Sequence, residues 1–369
     1  MKIIYKLLFL FLLTIGYSSC DFLDIVPDEI TTEADAFKDR NAAKNFVYSC
    51  YGYLPQSNVA SGSLDLLTGD EVITAFEHET FASFPKGNYT ASSPVISYWN
   101  TFFQGLRQCY IFLENVDKVP DLTESVKTDY IAQVKFLIAY YHYQLARCYG
   151  PIILIKELPD VNASQAEYLP RTSYDECVDW ICNLLDEAAS SLPAIRTNKE
   201  DYGLATSVGA KAVKAKMLLY AASPLFNGNS SFYSNFTDKS GSQLMPLTYD
   251  PNKWVKAKTA IKEAIDLAEQ NGHALYVKQD YKIGNEDANP YPAAGPVRCL
   301  RTSLVDWDSR NPEVLLAETR SEGSYGIQNK SLPFVTDGWA WNGVGPTWTM
   351  LNRFYTKNGL PWDEDPEYK

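Results

Sequence analysis

The chain has 369 residues, enough for about two domains, and 46% of them are hydrophobic, so it can bury a large core. Its net charge of −12 argues against a protein that binds nucleic acid by neutralising phosphates. It has 3 His against 25 Tyr, 17 Phe and 8 Trp, so histidine chemistry has few candidates and aromatic contact surfaces have many.

The first 19 residues have the pattern of a secretory signal peptide. Lys2 and Lys6 are followed by an apolar run over residues 7–15 that is too short to span a membrane. Cys20 comes directly after small and polar residues, where bacterial lipoproteins carry a lipidated cysteine. We predict lipid attachment at Cys20, with ordinary cleavage nearby as the alternative. No later apolar run is long enough to cross a membrane.

Apolar residues that recur every three or four positions predict six amphipathic helices. They cover about residues 33–53, 97–116, 126–149, 173–192, 207–222 and 250–272. Ser173 and Glu176 have the spacing of a capping box, and Asp250 before Pro251 is typical of a helix start. The third helix has two apolar stripes, which predicts that it is buried between neighbouring helices.

Several side chains on these helices are predicted to belong to the interior. Trp180 and Trp254 have helical spacing and are expected in the core, and His142 is expected to be an interior histidine with its hydrogen bonds satisfied. Cys177 and Cys182 lie five positions apart on one helix, a poor geometry for a disulfide. The six cysteines after Cys20 are therefore expected to be mostly buried thiols.

Paired helices with small residues at their seams indicate a mainly α fold, a tetratricopeptide-like scaffold of helical pairs. Long loops interrupt it at about residues 55–94, 161–171, 227–251 and 284–296, and such loops often carry function. The helical pattern fades after residue 276, and residues 313–319 resemble a strand. We therefore predict a signal peptide over 1–19, a scaffold with inserted loops over 20–276, and a loop-rich subdomain over 277–369.

Several segments, taken in order, resemble the SusD/RagB family of Bacteroidetes outer-membrane lipoproteins. The resemblance begins with CDFLD at residue 20 and is most specific in KFLIAYYHYQLARCYGPIILI at 135–155. It continues in RTSYDECVDWICNLLDEAASSLP, GAKAVKAKMLLYAASPLFNG, RNPEVLLAETR and the C-terminal GPTWTMLNRFYTKNGLPWDEDPEYK. The order of these segments, rather than any single motif, carries the resemblance.

This resemblance implies a tetratricopeptide-like scaffold with a second, loop-rich subdomain. It implies a lipoprotein on the outer face of the outer membrane, whose partner is a SusC-like TonB-dependent transporter. The implied role is the capture of oligosaccharides or other nutrients, without a chemical step and without a cofactor. Similar proteins continue well beyond residue 369, so the second subdomain is expected to be incomplete.

Aromatic rings on loops with polar neighbours are the candidates for glycan binding, because sugar C–H faces pack on rings and amides bond hydroxyl groups. Trp339, Trp341 and Asn342 fit best, between Gly338 and Gly343. In an extended loop the two rings point the same way. Packing of this loop on the scaffold is the alternative.

Further candidates are Trp99 with Asn100 at a helix start, where the family resemblance implies a glycan contact, and the weaker Trp307 and Tyr325. Asp70 lies in the first long loop, with a solvated loop charge as the alternative. Core packing is the alternative for Trp99. The triplet at residues 363–365 is acidic but lacks the order of a calcium loop, so we expect a solvated turn rather than a metal site.

Two other functions compete with nutrient capture. A secreted glycoside hydrolase needs two facing carboxylates, one with a raised pKa, and no spacing in the sequence singles out such a pair. A protein-interaction scaffold needs only a tetratricopeptide-like groove and leaves the long loops without a role. Hydrolysis of a bound glycan distinguishes the first of these, and copurification with a transporter distinguishes the second.

Overall fold

The computed structural model describes residues 33–56, 69–160, 162–164, 169–277, 295–304, 306, 311–320, 326–333, 338 and 340–368. The predictions for the signal peptide, Cys20, Trp307, Tyr325 and Trp339 fall outside the described residues, as do parts of the predicted loops. Within the described part, every helix is too short or too polar to cross a membrane.

Helices before residue 277 form the scaffold. They are α1 (Glu33–Ala36), α2 (Arg40–Tyr51), α3 (Trp99–Asn115), α4 (Glu124–Tyr149), α5 (Tyr174–Ser191), α6 (Ser207–Ala222), α7 (Ser230–Tyr233) and α8 (Asn252–Gln270). The long helices pack in succession, α3 on α4, α4 on α5, α5 on α6 and α6 on α8. This is the predicted tetratricopeptide-like arrangement.

The longest helix, α4, lies at the centre of the main core, as its two apolar stripes predict. Phe136, Leu137 and Tyr141 are each at most 1% exposed. The hydroxyl of Tyr141 donates to the carbonyl of Cys50 in α2 at 2.5 Å, so even the polar atom at the centre is satisfied. Gly150 ends the helix with φ +72°, a conformation that glycine adopts readily.

Three helix starts differ from the predictions. The first predicted helix forms as two helices, α1 and α2. Asp39 is the N-cap of α2 and accepts the N–H groups of Asn41 and Ala42 at 2.9 and 2.8 Å. The side chain of Ser173 makes no cap hydrogen bond, so the predicted capping box does not form. Helix α8 begins one residue later than predicted, because Pro251 rather than Asp250 occupies the N-cap position, and Asp250 accepts the N–H of Asn252 at 2.9 Å.

Small residues bring α6 and α8 together. Ala215 of α6 and Ala260 and Ala264 of α8 form one buried cluster, as the small residues at the seam predict. The prediction that Trp254 belongs to the core is wrong, because its side chain is 41% exposed. Trp254 borders an apolar groove that Leu219 of α6 and Ile261 of α8 also line, so its ring is only partly covered.

The remaining elements are short. They are α9 (Pro296–Ser303), α10 (Ile327–Ser331), α11 (Trp348–Leu351) and the strands β1 (Val72–Thr74) and β2 (Val344–Pro346). β1 and β2 form a two-stranded antiparallel ribbon between the first long loop and the C-terminal segment. Residues 72–84 therefore pack with residues beyond 327, although the predicted boundary at 276/277 separates them. That boundary stays a prediction.

The strand predicted over residues 313–319 is wrong, because this stretch consists of turns and irregular chain. It lies against the scaffold instead of beside another strand. Leu316 packs on the main core, and the carbonyl of Leu315 lies 3.4 Å from where a Cβ on Gly209 would be. Arg320 then donates to the carbonyl of Gly52 at 2.8 Å. The apolar residues of this stretch cover the helices.

The interior polar side chains agree with the predictions. The Nδ1–H of His142 donates to the carbonyl of Ile138 at 2.8 Å, and its Nε2 accepts the N–H of Ile155 at 3.1 Å. Burial lowers the pKa of His142 to about 4, so the ring is neutral at pH 7. Trp180 packs edge-on against this ring, 4.8 Å between centroids. All six described cysteines are free thiols, four of them buried.

Candidate ligand-binding site

The candidate site is built around the ribbon, in which Thr74 of β1 lies opposite Val344 of β2. The hydroxyl of Thr74 and the N–H of Ala75 both donate to the carbonyl of Gly343, at 2.9 and 3.0 Å. The residues joined by the first of these bonds are 269 positions apart. Residues 341–343, which we call the binding segment, are thereby fixed beside β1.

Trp341 is half-buried, and its orientation is set by its own loop. Its backbone N–H donates to the carbonyl of Asn329 at 3.0 Å, and its indole Nε1–H donates to the carbonyl of Gly338 at 2.8 Å. Since indole nitrogen is a donor only and is used within the loop, the side chain offers a ligand its ring surface. Trp339 lies outside the described residues, so the shared direction of the two rings stays a prediction.

Asn342 comes next in the binding segment and has a φ of 47°. Among the described residues it is the non-glycine residue with a positive φ. Asparagine tolerates this left-handed conformation better than most residues. Its backbone N–H donates to the carbonyl of Leu332 at 2.9 Å, and its side chain is exposed. The carboxamide of Asn342 therefore lies in solvent, one residue after Trp341.

Gly343 completes the binding segment in a position that has no room for a side chain. Its N–H donates to the carbonyl of Lys330 at 2.8 Å. A Cβ on Gly343 would lie 1.7 Å from Cε2 of Phe76, so the phenyl ring covers the backbone directly. Glycine is needed here for close approach.

Asp70 lies at the other end of the ribbon. Its carboxylate is 3.1 Å from Nη2 of Arg353, and both side chains are more than half exposed. Thr347 donates its hydroxyl to the carbonyl of Asp70 at 2.6 Å and its N–H to the carbonyl of Glu71 at 3.0 Å. The structure thus places Asp70 on the same ribbon as Trp341 and Asn342, as an ion-paired rather than an isolated surface charge.

Trp99 and Asn100 lie at the start of α3, on the scaffold. The ring of Trp99 packs edge-on against Tyr149 at 5.2 Å, and the guanidinium carbon of Arg171 lies 5.4 Å from its centroid. Trp99 is half-buried and Asn100 is exposed. Both readings of Trp99 stay open, since the ring has core contacts and an accessible part. The glycan roles of Trp99 and Asn100 remain predictions.

The acidic triplet is a solvated turn only in part, because Asp363 and Glu364 are exposed whereas Asp365 is only 1% exposed. Its carboxylate accepts hydrogen bonds from the Thr356 hydroxyl, from Nδ2 of Asn358 at 2.9 Å and from the N–H of Glu367 at 3.0 Å. The Thr356 bond, followed by the Glu367 bond, lowers the pKa of Asp365 below its usual value. Its oxygens stabilise the turn.

Sequence reasoning missed three charged residues that organise the ribbon. Arg353 pairs with Asp70, and the buried Glu79 pairs with Lys330 of α10. The second pair joins residues 251 positions apart. No local pattern marks such a contact, because both partners have the appearance of ordinary loop charges. Gly343 was the one available signal, as a glycine directly after the candidate Trp341 and Asn342.

A family model, a curated relative and solved structures all match this chain to SusD-like proteins. The SusD-like_3 family, described as starch-binding and associating with the outer membrane, matches residues 21–219. Among curated proteins, SusD-like protein P25 of Formosa agariphila is 23% identical over 230 residues. That match covers 59% of this chain and 43% of the relative.

Solved structures share the fold over most of this chain. BT4246 superposes with a TM-score of 0.72 at 29% identity, covering 90% of this chain and 59% of that one. A SusD-like protein from Bacteroides fragilis NCTC 9343, BF3747, gives 0.66 at 22% identity, covering 90% and 56%. The chain therefore spans roughly half the length of the relatives it matches.

Proposed function

This chain belongs to the SusD-like family of starch-binding proteins associated with the outer membrane, and from that premise we propose that it captures an oligosaccharide at the cell surface. We propose further that it passes the ligand to a SusC-like TonB-dependent transporter. Its attachment to the outer membrane is a lipid on Cys20, with the protein facing the exterior. It binds without a chemical step and needs no cofactor.

The observation that carries this proposal is the fixed geometry of the binding segment. Trp341 presents a ring whose N–H is already bonded, and Asn342, the next residue, presents an exposed carboxamide. A pyranose offers the complementary pattern, a C–H face edged by hydroxyl groups. Because three backbone N–H groups of the segment are bonded to carbonyls near α10, little ordering remains to oppose binding.

The remaining predicted residues extend this contact. The carboxylate of Asp70 accepts hydroxyl hydrogens, and Asn100 adds an amide at the start of α3 near Trp99. We include Trp339, Trp307 and Tyr325 as further ring contacts. Several rings along one glycan chain raise the overall affinity, although each contact is modest.

The carboxyl groups of the described chain give no support to a hydrolase. A glycosidase acid requires a raised pKa. The carboxyl groups of Asp186, Asp238, Asp365 and Glu367 have a lowered pKa, the opposite of what a glycosidase acid needs. The two nitrogens of His142 are both bonded inside the core, which leaves them unavailable to a ligand.

The test is titration calorimetry of the chain from Asp21 onward against maltooligosaccharides and a panel of other oligosaccharides, followed by chromatography of the glycans. We expect binding to at least one glycan class with the sugar recovered intact. Shortened products would contradict capture. The partner is tested by purifying the full-length lipoprotein from detergent extracts of the native membrane, where we expect a large β-barrel transporter to copurify. Lipoprotein recovered without a transporter would contradict the delivery step.

A further inference from the structure

A buried ion pair lies beneath the binding segment. The ammonium of Lys330 contacts Oε1 of Glu79, and the two side chains are only 13% and 7% exposed. The exposed imidazole of His78 lies 3.7 Å from the same oxygen. Moving two charges out of water is unfavourable, and apolar side chains of similar size often give equal or greater stability. This pair therefore suggests a role other than general stability.

Lys330 is also a direct support of the binding segment. Its carbonyl accepts the N–H of Gly343 at 2.8 Å, while its ammonium holds Glu79. The neighbouring carbonyls of Asn329 and Leu332 accept the N–H groups of Trp341 and Asn342. A shift of α10 at Lys330 therefore moves all three acceptors of the segment together.

Glu79 belongs to the turn that holds the other side of the same segment. Thr74 and Ala75 donate to the Gly343 carbonyl, and the Phe76 ring covers the Gly343 backbone. The N–H of Glu79 donates to the carbonyl of Phe76 at 3.1 Å, which closes this turn. The ion pair thus connects the two structures between which the segment lies.

Apolar packing provides little alternative support. The local cluster has Phe81 and Val344 as its buried members, with Val72, Phe84 and Ile327 partly buried around them. The binding segment also contains the left-handed residue Asn342, which needs its surroundings to keep it in place. A small cluster of this kind restrains α10 weakly.

We propose that Glu79 and Lys330 are positioning residues, whose buried ion pair fixes α10 against the 74–79 turn and so holds Trp341 and Asn342 in the orientation that binds the ligand. The positioning itself is a property of the ligand-free protein. Its consequence for affinity rests on the proposed function of the binding segment.

The first test compares Glu79→Gln with Glu77→Gln by hydrogen exchange and mass spectrometry, without ligand. Glu77 lies in the same turn but is 88% exposed and pairs with Lys86 at 3.6 Å, so it is a matched control. We expect amide exchange over residues 341–343 to accelerate by about tenfold or more in Glu79→Gln and to stay at the wild-type rate in Glu77→Gln. Unchanged exchange in Glu79→Gln would overturn the proposal.

The double variant Glu79→Gln/Lys330→Met separates positioning from simple stabilisation. It removes both buried charges, so we expect the Tm that Glu79→Gln lowers to recover towards wild type. Exchange at residues 341–343 should nevertheless stay fast, and glycan affinity should stay reduced. Recovery of exchange together with the Tm would show that the pair is merely structural. Because exchange is measured without ligand, a wild-type protein that binds no glycan contradicts the proposed function alone.

Discussion

The scaffold and the ribbon are held together by different physics. In the scaffold, successive helices bury whole faces, and the centre of α4 is almost completely removed from water. The ribbon has a cluster of two buried apolar side chains and relies on backbone hydrogen bonds and ion pairs between distant residues. A rigid helical body thus carries a lightly packed edge, in which residues facing solvent are placed by polar contacts.

Removing a scaffold side chain should have the largest effect on stability. Phe112 of α3 is fully buried in the main core. We expect Phe112→Ala to lower the free energy of unfolding by about 3–5 kcal/mol, measured by urea denaturation followed by far-UV circular dichroism. Phe81→Ala is the matched change in the ribbon cluster, where Phe81 is 2% exposed. We expect Phe81→Ala to leave the urea midpoint of the helical signal unchanged. Equal shifts of this midpoint in the two variants would mean that the scaffold and the ribbon unfold together.

Acid should weaken the scaffold through His142. The pKa of this ring is lowered from 6.5 to about 4 by burial, so the unfolded chain takes up a proton at a higher pH than the folded one. The associated stability is fully present above about pH 6.5 and is lost as the pH falls towards 4, by up to about 3 kcal/mol.

Urea denaturation between pH 7 and pH 4.5 tests this dependence on His142. The His142→Gln variant has no titrating ring, so its unfolding free energy should fall less steeply over this range, whatever its value at pH 7. Identical slopes for the two proteins would show that the ring does not titrate differently in the folded and unfolded chains.

A methyl group at Gly343 should disturb the ribbon alone. In Gly343→Ala the new carbon meets the Phe76 ring, and we expect a local destabilisation of about 1–3 kcal/mol. Glycan affinity should fall at least tenfold while the far-UV spectrum stays unchanged. Gly345→Ala adds the same methyl group on β2 where nothing lies within 4 Å, so its affinity should match wild type. Equal affinities for both variants would remove the binding segment from the site.

Two variants of Asn342 separate the ligand contact of its amide from the strain of its backbone, with smaller expected effects. Asn342→Ala removes the carboxamide and also places alanine in a left-handed conformation, which costs about 1 kcal/mol. Asn342→Gly removes the same amide without that strain. We expect both variants to bind glycan several-fold more weakly, with a lower Tm for the alanine variant only. Wild-type affinity in the glycine variant would show that the amide makes no ligand contact.

The scaffold was predictable because its information is local. Apolar spacing located the long helices, and the small residues of α6 and α8 indicated their close packing. The local errors have local causes: the side chain of Ser173 does not cap, and Trp254 borders an open groove between α6 and α8 that leaves 41% of its side chain exposed. Spacing alone does not tell which face is covered.

For the ribbon, the sequence predicted individual residues but not their arrangement. Trp341, Asn342 and Asp70 could be singled out as polar or aromatic loop residues, but their placement on one ribbon depends on pairing across more than 250 positions. The contacts of Glu79 with Lys330 and of Asp70 with Arg353 have no periodic signal. Residues 313–319 have the apolar content of a strand, but their contact with Gly209 of the scaffold is also distant in sequence and leaves no local signal.

The central claim is that the binding segment carries a principal ligand contact, and a pair of tryptophan variants tests it most directly. Trp254 is 41% exposed on α8, whereas Trp341 is half-buried in the binding segment. With the glycan that the calorimetric panel identifies, we expect Trp341→Ala to bind at least tenfold more weakly, about 1.4 kcal/mol, and Trp254→Ala to bind as wild type. Wild-type affinity in Trp341→Ala, or an equal loss in Trp254→Ala, would contradict the account.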